Sequence, residues 1–212
     1  MKEYHKIQTI FKRNPETKFK TLLEGEYSVP EFEYLKSNNW VFTEKVDGTN
    51  IRIMIDGENI TFGGKTDRAQ IPANLVTELN NMFLGLLKRK VIEEIFDCPV
   101  CLYGEGYGAK IQKGGGNYIP DKQSFILFDI KIGECWLQRK DIEDIAEILN
   151  IKTVPIIGIG TLYDAIEKTR KGFNSQWGNF VSEGIVLRPE IELKTRNNQR
   201  IITKIKHKDF KH

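Results

Sequence analysis

The sequence predicts an α+β fold of mostly antiparallel sheets with flanking helices. Three observations carry that expectation. Residues 51–62 alternate apolar and polar side chains on either side of a turn, the pattern of a hairpin. Residues 74–96 place apolar side chains at helical spacing. Strands and helices then alternate with no repeat and no low-complexity linker, so helices inserted between hairpins account for the order.

Each element has a local reason. Residues 40–46 form an apolar stretch ending at Lys45 and Val46, before Asp47-Gly48, and read as a strand entering a tight bend. The following hairpin turns at Asp56-Gly57-Glu58-Asn59. Leu75, Leu79, Phe83, Leu86, Leu87, Val91 and Ile95 mark one long or two short helices. Residues 100–103 read as a strand, followed by a glycine-rich loop through Gly114-Gly115-Gly116. Residues 124–130 are a strand and 141–149 an amphipathic helix. Thr161-Leu162-Tyr163-Asp164 carries a helix-start signal, and residues 184–187 and 201–205 are strands.

At 212 residues the chain can bury a core of its own. It is 40% hydrophobic and 29% charged, with a mean hydropathy of −0.41, which is ordinary for a soluble globular protein. No apolar run approaches a membrane span, and Met1-Lys2-Glu3-Tyr4-His5-Lys6 lacks the apolar core of a signal peptide behind it. The three cysteines include Cys98-Pro99-Val100-Cys101, with no second pair to complete a zinc site, so these are read as two buried thiols on a strand. A cytoplasmic location is expected. His5, His207 and His212 have no partners at ligand spacing and are read as surface residues.

The net charge of +3 is unevenly spread. Lys194, Arg196, Arg200, Lys204, Lys206, Lys208 and Lys211 stand against Asp209 alone, and Lys2, Lys6, Lys12, Arg13, Lys18 and Lys20 crowd the N-terminal arm. Positive charge clustered at both ends is a footprint for a phosphate backbone, though a solvated face carries the same pattern.

Six short segments carry chemistry. The first is Glu44-Lys45-Val46-Asp47-Gly48-Thr49-Asn50. A lysine at such a bend points into a cleft, and its amine becomes a nucleophile when nearby cations or desolvation lower its pKa. Next are Gly63-Gly64-Lys65-Thr66-Asp67-Arg68 and Tyr103-Gly104-Glu105-Gly106, each at a strand end. Then Phe125-Ile126-Leu127-Phe128-Asp129-Ile130 puts an aromatic and an acid inside a strand, and Ser182-Glu183-Gly184 brings an acid into another. Last, Thr203-Lys204-Ile205-Lys206 sets two lysines on one strand face. Gly104, Gly106 and Gly108 could suggest a dinucleotide loop, but no β-α unit follows and a Rossmann reading is set aside.

The order and spacing of these segments, over residues 40–210, resemble the motifs of the covalent lysyl-nucleotidyltransferases, the polynucleotide ligases and mRNA capping enzymes. The closest likeness is to the RNA ligase 2 family, favoured by Gly48-Thr49-Asn50 and Phe128-Asp129-Ile130. The resemblance implies a nucleotidyltransferase (ATP-grasp-like ligase) fold and an ATP-dependent RNA ligase serving RNA repair. Lys45 would attack the α-phosphorus of ATP to give lysyl-AMP, and AMP would pass to a 5′-phosphate that a 3′-hydroxyl then seals. Lys204 and Lys206 would favour neutral Lys45 and neutralise the triphosphate. Glu105 and Glu183 would orient Mg2+ or Mn2+, which needs few carboxylates, and Glu105 could instead hold the ribose. Phe128 would stack on adenine. Asp47 and Asn50 would position the reacting ends, with Glu44 and Lys65 also at the nucleotide, and Asp129 would order the lysine or the nucleic-acid end.

Two departures from the family pattern bear on this. Lys65 falls where the second motif carries arginine; Arg68 could substitute, but a lysine cannot grip phosphate bidentately. Six residues follow Lys206 and 44 precede Lys45, so residues 1–212 are expected to be a single nucleotidyltransferase domain without a C-terminal oligonucleotide-binding domain. The expected partner is RNA with 5′-phosphate and 3′-hydroxyl ends, in a nicked duplex, handled by a monomer with an accessory protein in place of the clamp, and no membrane. The competing readings are a small ATP-dependent DNA ligase and an RNA-end-binding protein of the same fold without ligation. A pure binder has no need for Lys45, Glu105, Glu183, Lys204 and Lys206 together.

Overall fold

The computed structural model describes residues 3–210; Lys2, Lys211 and His212 lie outside the described residues. The chain begins with β1 (Gln8–Thr9), β2 (Phe11–Arg13), β3 (Leu22–Tyr27), α1 (Pro30–Tyr34) and β4 (Trp40–Glu44). It continues through β5 (Thr49–Asp56), β6 (Asn59–Gly63), α2 (Ala73–Phe83), α3 (Leu86–Ile95) and β7 (Val100–Gly108). Next come α4 (Gly115–Tyr118), β8 (Gln123–Ile132), β9 (Cys135–Trp136) and α5 (Arg139–Ile148). It ends with β10 (Ile156–Gly160), α6 (Leu162–Lys171), β11 (Gly184–Pro189) and β12 (Thr203–Lys206). The α+β expectation holds: apart from the short parallel pairing of β1 with β12, the named strands pair antiparallel. No helix among the described residues is long and apolar enough to cross a membrane.

The chain forms two compact units, one from residues 3–5 and 47–154, the other from 6–46 and 155–210. The first has a five-stranded sheet in the order β6-β5-β7-β8-β9. Ile51, Ile53 and Ile55 of β5 alternate onto one face and bury against Leu75, Leu79 and Phe83 of α2 and Ile142 and Ala146 of α5. The other face receives the intervening side chains, among them Asn50, Arg52, Tyr103 and Glu105. The second unit has the sheet order β1-β12-β11-β4-β10, with Trp40, Phe42, Ile185, Leu187 and Ile205 packed on Leu162, Ala165 and Ile166 of α6. α6 begins where the sequence marks it: Thr161 Oγ1 accepts the Asp164 N–H, and the Asp164 carboxylate accepts the Thr161 N–H.

Several expectations need correction. Of the two alternatives for residues 74–96 the two short helices form, broken at Leu84-Gly85, but Leu86 and Leu87 in the first turn of α3 are 82% and 81% exposed instead of facing the core. β7 does not stop at Tyr103 but runs on through Gly104 and Gly106 to Gly108. Those two glycines serve packing: a Cβ on Gly104 would lie 2.2 Å from the Phe125 ring, and one on Gly106 would lie 2.4 Å from Leu75. β12 begins at Thr203 because the Ile201 N–H donates to Leu193 O and not to a sheet neighbour. Cys101 is buried on β7, but Cys98 is exposed in the turn before it. His207 is half-buried, with Nδ1 2.9 Å from Thr169 O, and His5 packs its ring on Trp136.

Candidate active site

In the second unit, three strands assemble a compact charged cluster. β4 lies beside β11, and Lys45 extends that pairing by donating its N–H to Gly184 O. On the other side of β11, Gly184 pairs with Lys206. Lys45 and Lys206 therefore flank a residue with no side chain. A Cβ at Gly184 would lie 2.1 Å from Ile205 O, so glycine is required there for close strand approach. The preceding residue, Glu183, fills the gap: Lys45 Nζ donates to Oε2 and Lys206 Nζ reaches Oε1, each at 2.6 Å. Lys204 shares the strand face of Lys206, two residues away.

The electrostatics follow from that packing. Burial pushes the Glu183 carboxyl up, but Lys45 and Lys206 together outweigh it and hold it below its usual value. Desolvation, then repulsion from Lys45 and Lys206, lowers the Lys204 ammonium to about 8; Glu183 opposes the shift and Arg13 adds to it. Two lysines thus share one carboxylate with a third beside them, and the cluster is built to receive further negative charge. Glu44, the neighbour of Lys45, points the opposite way, into the side of β4 that buries Trp40 and Phe42. Its Oε2 accepts the Gln176 N–H, while Oε1 is buried with no hydrogen-bond partner among the described residues.

In the first unit, Asn50 and Glu105 are directly opposed on β5 and β7. Asn50 Oδ1 is buried without a partner among the described residues. Between β7 and β8 the register slips: Tyr103 pairs with Asp129 while Gly104 pairs with Leu127, leaving Phe128 as an extra residue. Phe125 and Leu127 face the core before the slip and Ile130 after it, so neither Phe128 nor Asp129 does. Phe128 is half-buried, its ring edge-on to Tyr4 at 5.0 Å, and Asp129 accepts the Tyr4 hydroxyl at 2.7 Å. The Asp47 N–H donates to the Tyr118 hydroxyl.

The structure brings Lys45, Glu183, Lys204 and Lys206 together in one unit, and Asn50 with Glu105 on one face of the other. It places Lys65 on an exposed loop after β6, beside the equally exposed Arg68. Fully buried Arg52 secures that loop, donating to Gly64 O at 2.8 Å and to Asp67 at 2.7 Å. Among the basic residues, Arg13 pairs with buried Asp209 and buried Arg200 with Glu192, so part of the terminal positive charge is neutralised within the fold, while Lys12 pairs with Glu26 at the surface. Sequence reasoning missed Tyr4, Arg52 and Tyr118. Arg52 had a usable signal, a cation between two strand isoleucines; Tyr4 and Tyr118 had none.

A sequence model of the RNA ligase family matches residues 38–206. No curated protein sequence matches the chain. Among solved structures, an arginine-to-alanine variant of the Naegleria gruberi RNA ligase with ATP and Mn is similar, with a TM-score of 0.68 at 18% identity, over 97% of this chain and 56% of that one. The same organism's RNA ligase with PPi gives 0.64 at 19%, over 96% and 57%. A glutamate-to-alanine variant with AMP and Mn gives 0.66 at 16%, over 96% and 57%. The chain spans little more than half the length of these proteins, and at such identities the likeness concerns the fold.

Proposed function

The chain belongs to the RNA ligase family, and we propose that it is an ATP-dependent RNA ligase of the RNA ligase 2 branch, acting through a lysyl-AMP intermediate on Lys45. The observation that carries this reading is the grip on Lys45: one carboxylate shared with Lys206, with Lys204 on the same strand face as Lys206. We read the chain as one nucleotidyltransferase domain working in the cytoplasm.

Lys45 must lose a proton before its nitrogen can attack. Lys204 and Lys206 favour that loss against the pull of the Glu183 carboxylate, which orients the amine through its 2.6 Å contact. As the N–P bond to the α-phosphorus forms, the bond to the bridging oxygen breaks and its electron pair leaves with pyrophosphate. Lys204 and Lys206 neutralise the charge growing on that leaving group. A 5′-phosphate oxygen then takes AMP from Lys45, returning the electron pair and a proton to the amine, and a 3′-hydroxyl displaces AMP to seal the strand. Asn50 Oδ1, a buried acceptor without a partner among the described residues, is suited to a donor of the nucleotide, whereas Glu44 faces away from Lys45 and is not assigned to it. Phe128 is assigned to the adenine face and Glu105 to the ribose or a metal.

The residues fit a magnesium or manganese ion. No group of three or more metal-binding side chains occurs among the described residues, and such an ion needs only one or two carboxylates besides phosphate oxygens and water. Glu105 in the first unit and Glu183 in the second are each a candidate carboxylate for it, and when bound it would neutralise phosphate charge. The complexes of the Naegleria gruberi enzyme with ATP and Mn and with AMP and Mn support a nucleotide and a divalent ion as ligands of this chain.

The test is sealing of nicked RNA duplex with ATP and magnesium, run beside self-adenylylation across a salt series. Sealing should fall first as salt rises, because it relies on phosphate contacts. Sealing of DNA nicks alone would move the assignment to a DNA ligase. Tight binding of RNA ends with neither reaction would leave only an end-binding protein.

A further inference from the structure

The glycine-rich segment between β7 and β8 holds the turn that follows Lys45. It leaves β7 at Gly108, whose φ of +110° favours glycine, and the Ala109 N–H donates to Lys122 O at 2.8 Å. Gly115 passes so close that a Cβ would lie 2.0 Å from Gly108 O. Tyr118 is buried, with its ring edge-on to Tyr107. Two side chains of this segment then reach the Asp47-Gly48 turn. The Tyr118 hydroxyl accepts the Asp47 N–H at 3.1 Å, and Gln112 Nε2 donates to Gly48 O at 2.9 Å. Strand β7 blocks escape, since a Cβ on Gly48 would lie 2.2 Å from Gly106 O.

We propose that Tyr118 is a positioning residue for the covalent step: by accepting the Asp47 N–H, with Gln112 as its second brace, it fixes the backbone two residues after Lys45. This rests on the reading of Lys45 as nucleophile. Asp47 joins Lys45 through Val46 alone, so the turn sets the path of the backbone leaving Lys45. Neither Tyr118 nor Gln112 is assigned to ATP here, so their loss lowers turnover and leaves nucleotide affinity in place.

The experiment compares self-adenylylation of wild-type protein, Tyr118→Phe and Gln112→Ala, with hydrogen exchange at the Asp47 amide. Tyr118→Phe keeps the ring and removes the acceptor. Misplacement of a reacting group by about 1 Å costs on the order of 100-fold, so kcat should fall about 10- to 100-fold. KM for ATP should stay within about twofold, and Asp47 exchange should quicken. Unchanged kcat, or a rise in KM alone, overturns the proposal. Should Tyr118→Phe fail to fold, exposed Gln112→Ala must show the same kcat loss at constant KM, and an unchanged kcat there overturns it equally. Wild-type protein that takes no label from ATP would instead sink the ligase reading and this inference with it.

Discussion

Glu183→Gln is the most informative single substitution in the charged cluster. Glutamine keeps the shape and removes the negative charge that Lys45 and Lys206 share at 2.6 Å. The side chains of Glu183, Lys45 and Lys206 are only 11%, 19% and 20% exposed, so water replaces little of the lost contact. Removing one partner of a buried pair costs about 3–5 kcal/mol. Residual hydration of the two lysines reduces that to about 2–3 kcal/mol here. Urea unfolding should show a lower midpoint with an unchanged slope. The pH dependence adds a sign. The Glu183 carboxyl is held below its usual 4.5, so its stabilisation is present above that value and is lost as pH falls through the folded value. The gap between wild type and Glu183→Gln should therefore shrink on acidification. An unchanged midpoint at neutral pH, or a gap that persists in acid, would refute the reasoning.

Further outcomes follow from the same geometry. Gly48→Ala puts a methyl 2.2 Å from Gly106 O and 2.7 Å from Glu105 Cγ, so it should lower stability by about 1–3 kcal/mol and depress self-adenylylation; a variant with wild-type melting and activity would contradict the close approach. Lys204, lowered to about 8, should lose its proton as pH rises through that value, and KM for ATP should climb over the same range. An unfolded lysine keeps its proton up to about 10.5, so the burial penalty of Lys204 is relieved between about 8 and 10.5 and its contribution to stability rises there. KM titrations of wild type and Lys204→Met test this; an identical pH profile in both would remove Lys204 from the triphosphate.

The charged cluster was legible in the sequence because its parts obey simple periodicity. Lys204 and Lys206 alternate on one strand, Glu183 precedes the glycine that opens a strand, and Lys45 follows a strand just before the Asp47-Gly48 turn. The second site was legible only as residue types. Phe128 and Asp129 should project to opposite faces of a regular strand; a bulge against Tyr103 and Gly104 changes the parity, and only the switch from Phe125 and Leu127 to Ile130 hints at it. Gly104 and Gly106 looked like a strand end because glycine normally weakens strands, whereas here Phe125 and Leu75 occupy the space their side chains would need. Leu86 and Leu87 fit the helical period but fall in the first turn after Gly85, where a new helix resets the phase. Tyr4 reaches Asp129 across 125 positions of sequence, a pairing no local pattern announces.

The central claim is that Lys45 carries the nucleotide. The direct measurement incubates the protein with α-labelled ATP and magnesium, separates it under denaturing conditions and maps the labelled peptide. The account predicts covalent AMP on the peptide containing Lys45. It predicts no label on Lys45→Ala, which should stay folded, or on Lys45→Arg, whose guanidinium remains protonated. Label retained by Lys45→Ala, or mapped to another residue, would contradict the account.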